Sequence, residues 1–198
     1  MSRYCAAGLG LIMAIVAAGC GGSGESGSGA AGGAAGAAGA APVIPLDDVK
    51  PSQSGSVWQE VANTAITITY DRPVARGREL FGGIVAFGEI WNPGANDATA
   101  IEFSRNVTIN GNALPAGKYS LWAIPDPNRW TIIFNRQADV YHTPYPGEEH
   151  DALRFMASPR RGAHMETLAF YFAEVEKKDA ELRLHWGETY IPFSIAVP

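Results

Sequence analysis

Glu181-Leu182-Arg183-Leu184-His185-Trp186, followed by Ile191-Pro192-Phe193-Ser194-Ile195-Ala196-Val197, decides the fold. In the first run, Leu182, Leu184 and Trp186 alternate with Glu181, Arg183 and His185. In the second, every other residue is apolar. Side chains on a strand point to opposite faces in turn, so this period of two is the mark of antiparallel strands with one face buried. It places Trp186 in the core and predicts that His185, on the opposite face, meets solvent.

The same pattern recurs upstream. Ala65-Ile66-Thr67-Ile68-Thr69-Tyr70 alternates for six residues, and Leu168, Phe170 and Phe172 share one face. Along Lys118 to Ile124, Trp122 and Ile124 fall on one face and Tyr119 and Leu121 on the other. Only one of these sets can face the main core. Turn signals separate the runs. Asn110-Gly111 is a hairpin mark, because both residues tolerate the left-handed backbone of a tight turn. Pro115-Ala116-Gly117, Pro125-Asp126-Pro127-Asn128 and Lys177-Lys178-Asp179 punctuate the rest. Eight to ten short strands without sustained helical periodicity predict an all-β domain over residues 46–198, a single antiparallel sandwich or jelly-roll-like fold. Residues 79–98 are the least readable, an aromatic-rich run broken by Gly82, Gly83, Gly88 and Gly94.

The first 45 residues are of another kind. Met1 to Tyr4 carries one positive charge, at Arg3, and Cys5 to Ala18 is uncharged and apolar. This is the pattern of a secretory signal, with an apolar run too short to span a bilayer. It ends in Val16-Ala17-Ala18-Gly19-Cys20, which resembles a bacterial lipobox with Ala17 in place of the usual leucine. Residues 1–19 are therefore read as a signal peptide and Cys20 as the lipidated residue. Residues 20–45 then form a disordered linker of Gly, Ala and Ser, which has no side chains to bury. Treated as a flexible coil, residues 21–45 span about 25–30 Å, against a domain radius of gyration of roughly 15 Å. The expected partner is a lipid bilayer reached through Cys20. Gly21 resembles no inner-membrane retention signal, so the outer membrane is the expected address.

Charge and cysteine usage exclude several classes. The net charge is -5, and a mildly acidic chain is poorly suited to tracking nucleic acid phosphates. Cys5 and Cys20 are the two cysteines, so the domain holds neither a disulfide nor a thiol nucleophile. No P-loop or Gly-x-Ser-x-Gly elbow occurs in residues 46–198, and no cofactor is implied.

Arg72-Pro73, Arg76-Gly77-Arg78-Glu79-Leu80-Phe81-Gly82, Trp91 with Gly94-Ala95-Asn96-Asp97, Leu114-Pro115-Ala116-Gly117-Lys118-Tyr119-Ser120-Leu121 and Trp130-Thr131-Ile132-Ile133-Phe134-Asn135 occur in this order. In order and spacing they resemble the domain of unknown function 2911 family, from Ser56 to Ile195. The resemblance implies one intact domain of an exported bacterial protein and carries no mechanism. Asp71 stands where the family usually has Ser, and Asn92-Pro93 where an Arg is usual.

Candidate chemistry concentrates between Asp71 and Asp97. Arg72, Arg76, Arg78, Trp91, Asn96 and Asp97 are the candidate binding residues. Guanidinium forks beside an indole suit carboxylate, phosphate or sugar ligands. The plainer alternative pairs the arginines with nearby acids to pin a long loop, with Asn96 a simple turn residue. His142, His150 and Asp151 are weak metal candidates, since their spacing matches no metal motif. The favoured function is a non-enzymatic binding or structural module of the cell envelope, with a glycan, small molecule or protein as ligand. The alternative is a hydrolase using Asp97 or Glu89 as base and Arg78 as electrostatic stabiliser. Either site requires Arg72, Arg78 and Asn96 to share one face.

Overall fold

A computed structural model describes residues 48–198. The signal peptide, Cys20 and the linker lie outside the described residues. Ten strands run in chain order: β1 (Gln53–Val61), β2 (Thr64–Arg72), β3 (Ala100–Phe103), β4 (Val107–Ile109), β5 (Asn112–Leu114), β6 (Gly117–Ile124), β7 (Trp130–Asn135), β8 (Asp151–Ala157), β9 (Arg160–Glu176) and β10 (Asp179–Ala196). They form two antiparallel sheets. The larger has the order β1-β2-β3-β6-β7-β8 and the smaller β5-β4-β10-β9. The larger sheet is thus a meander from which the β4–β5 hairpin departs to join the other layer.

The alternations sort side chains as read. Ile66, Ile68, Leu121, Leu168, Phe170, Leu182, Leu184, Phe193 and Ile195 all join one core between the sheets. Asn110 and Gly111 both have positive φ, at 47° and 79°, and close the β4–β5 hairpin as a tight turn. Residues 181–186 and 191–196 belong to a single strand, β10. Register shifts around Gly187 let it continue and bend where the sequence suggests a break.

Three expectations need correction or completion. His185 lies on the outer face, opposite Trp186, yet is only 4% exposed. Tyr171 and Tyr190 flank its ring, and Gly162 of β9 lies so close that a Cβ there would meet the ring at 3.1 Å. On β6, Tyr119 and Leu121 take the main core, whereas Trp122 is buried on the outer face. It packs there with Ala98 and Ile133, beneath Val140 and Tyr145. One half of the larger sheet's outer face is therefore roofed. The least readable stretch, between β2 and β3, is a strap that crosses the end of the sandwich. It bonds first to β9, through Ala75 N–H to Glu166 O (2.7 Å) and Leu168 N–H to Pro73 O (2.9 Å). It then returns to the larger sheet through paired bonds of 2.8 Å between Trp91 and Ala123.

Candidate functional site

The strap closes on aromatic packing. Phe81 sits edge-on to Trp130 of β7 at 4.8 Å, and Trp91 stacks on Trp186 of β10 at 6.2 Å with planes 15° apart. Two rings come from the strap and one from each sheet, so the cluster ties all three together. Beside it opens a cavity of about 400 Å³, lined by Val74, Arg76, Arg78, Val85, Trp91, His142 and Trp186 among others. Its wall is mainly apolar, with the charge at its edge.

The two arginines reach this edge by a tight turn. Arg76 (φ 52°) and Gly77 (φ 67°) occupy the left-handed region, and Arg78 N–H closes the turn on Ala75 O at 3.1 Å. For a residue with a Cβ this backbone costs about 1–2 kcal/mol. The Arg76 N–H offsets part of that by donating to Glu166 Oε1 at 2.6 Å. His164 beside Glu166, and then this N–H, hold the Glu166 carboxyl below the usual range. Arg78 spends its fork on backbone, donating to Ala75 O (2.9 Å) and Val74 O (2.6 Å). The Arg76 guanidinium makes no hydrogen bond or ion pair among the described residues.

The six candidate binding residues do not all line one cavity. Arg76, Arg78 and Trp91 share the cavity. Arg72 instead donates to Leu168 O (3.3 Å), bridging the two sheets. Asn96, with φ 56°, is a turn residue and more: its amide donates to Asp71 Oδ2 at 2.6 Å. Asp97 lines a second cavity of about 400 Å³ on the outer face of the larger sheet. Arg76, Arg78 and Trp91 therefore share a cavity that Arg72, Asn96 and Asp97 do not line. The alternative pairing with acids also fails for Arg72 and Arg78, which use carbonyl oxygens. Arg78 and Asp97 line different cavities, and Glu89 lines neither of them.

The metal candidates separate as well. His142 joins the strap cavity, its Nδ1 2.6 Å from Asn96 O. Asp151 is committed elsewhere, accepting from Tyr145 (2.5 Å), Asn135 (2.9 Å) and Arg154 (2.6 Å). His150 lies beside Glu149 at 3.7 Å. Among the described residues no group of three or more His, Cys, Asp or Glu is placed to hold a metal.

Sequence reasoning missed His142 and Trp186 as partners of the strap. Trp186 is a core residue by its alternation, and His142 comes from a loop 46 residues beyond Asn96. No periodic signal links such positions.

Fold and cavity define the class: an all-β sandwich domain with a strap-built cavity at one end. The chain belongs to the family described as Protein of unknown function (DUF2911), whose model matches residues 52–195. Neither a curated protein nor a solved structure matches the chain.

Proposed function

We propose that this chain is a binding module of the bacterial cell envelope, held to a membrane by acylated Cys20, most suitably in the outer membrane. Its ligand is small, with an apolar or aromatic body and an anionic group. The observation that carries this reading is the Arg76 guanidinium, without an ion pair among the described residues, at the edge of a cavity walled by Trp91 and Trp186. An apolar pocket with few polar groups at its mouth is the usual form of a small-molecule site. The guanidinium supplies a planar, always-charged fork for a carboxylate or phosphate. Apolar carboxylates such as indole-3-acetate and phenylpropionate are suitable probes in a thermal-shift screen. Stabilisation by these, absent for their uncharged amides and weakened in Arg76→Gln, is the expected result. Stabilisation that ignores the charge of the probe, or no stabilisation by any, overturns the reading.

The anchor is tested separately. Metabolic labelling with an alkynyl fatty acid marks the wild type and not Cys20→Ala; labelling of both, or of neither, overturns the lipid assignment.

A further inference from the structure

The second cavity lies where the roof over the larger sheet ends. β1 and β2 pair with Ser54 opposite Asp71, Ser56 opposite Thr69 and Trp58 opposite Thr67. Their core-facing partners are Val57, Ile68 and Tyr70. Ser54, Ser56, Trp58, Thr67, Thr69 and Asp71 therefore all point outward. The cavity is floored by Ser54, Ser56, Thr69 and Asp71 and walled by Asp97 and Ala98. Trp58 stands on the same face two residues from Ser56, about 7 Å along the strand.

Trp58 is 61% exposed, whereas Trp122, Trp130 and Trp186 are 3% exposed or less. An indole left in water on an outer sheet face, with no core role, calls for a reason. Its surroundings identify the partner. The cross-strand row beyond it runs Thr67, Glu102, Lys118, which is polar and charged, unlike the apolar centre of a protein interface. The groove beside it offers hydroxyls and carboxylates, and no cation lines it. An anionic ligand is therefore disfavoured. A neutral, polyhydroxylated ligand with an apolar ring face fits both halves: C–H groups over the indole, and hydroxyls on the groove.

The groove is also preorganised. Asp71, 6% exposed, accepts from Ser54 Oγ–H at 2.5 Å and from Asn96 Nδ2–H at 2.6 Å, one bond to each carboxylate oxygen. Each oxygen keeps a further lone pair for a ligand hydroxyl. The side chain of Asp97 makes no hydrogen bond or ion pair among the described residues.

We propose that the open half of this outer face binds a saccharide chain, with Trp58 as the stacking platform and the Ser54–Asp71–Asp97 groove as the hydroxyl-reading wall. The groove shares no lining residue with the strap cavity. The test is isothermal titration of the full chain with cellohexaose, chitohexaose and laminarihexaose. At least one is expected to bind, and Trp58→Ala to weaken it roughly tenfold with an unchanged melting temperature, since Trp58 supports no core. Thr69→Lys, which obstructs the groove, is expected to weaken it similarly. Absence of binding by all three at about 10 mM, or equal binding by Trp58→Ala, overturns the proposal. A concentration-dependent dimer that Trp58→Ala abolishes, without saccharide binding, also overturns it and assigns the face to a second copy of the chain.

Discussion

Asn92 fastens the returning end of the strap, and its removal gives a measurable loss. The side chain is 2% exposed. Its amide donates to Leu121 O at 2.8 Å, and its oxygen accepts from Thr99 N–H at 3.1 Å. Asn92→Ala strands both backbone groups out of water. A buried polar group left unpaired costs about 1–3 kcal/mol, so the two together give about 2–6 kcal/mol. For a domain of this size, about 3 kcal/mol lowers the melting temperature by roughly 6–12 °C. Urea unfolding of wild type and variant measures the loss. Asn106→Ala is the internal comparison, since Asn106 also caps a backbone N–H, that of Ala116, but in the open. Water replaces that bond, and the loss there is about 1 kcal/mol or less. Limited proteolysis adds a local readout: cleavage between Gly82 and Glu89 accelerates in Asn92→Ala and not in Asn106→Ala. Equal losses for the two variants would show that Asn92 is not paired as described.

Three further outcomes follow from other parts of the molecule. Burial pushes the His185 ring below its usual pKa, so the folded state binds fewer protons than the unfolded chain. Its contribution is complete above about pH 6.5, the unfolded value, and is lost as pH falls through the folded pKa. Urea unfolding from pH 7.5 to 4.5 should show this loss in wild type and a shallower one in His185→Gln. Asp151→Ala removes the acceptor shared by Tyr145, Asn135 and Arg154 and lowers stability by about 3 kcal/mol, with amide exchange rising across residues 136–150. Gly111→Ala forces a Cβ into φ 79° and lowers stability by about 1 kcal/mol; an unchanged urea midpoint refutes that turn geometry.

The alternation at 65–70 and 181–186 was legible because a strand's period is imposed by its own backbone. Asn110-Gly111 was legible for the same reason, as a local backbone demand. The strap was not. Its ladder to the sheets is made of isolated pairs, Val74 with Thr167 and Trp91 with Ala123, too short to leave a period. Burial of His185 was hidden because the strand pattern gives the side on which a residue lies, not what else covers that side. Tyr171, Tyr190 and Gly162 supply the cover. The candidate site divided for a related reason. Residues 72, 78 and 96 are near in sequence, but Arg72 bonds β9, Arg78 the strap's own carbonyls and Asn96 the Asp71 carboxylate.

Pro51 and Ser52 line the strap cavity, whereas Pro198 lies with Asn63 at the far end of β1 and β2. The chain thus enters the folded part at the mouth of the pocket and leaves it at the opposite pole. For surface-immobilised assays, attachment through Pro198 therefore presents the strap cavity away from the support.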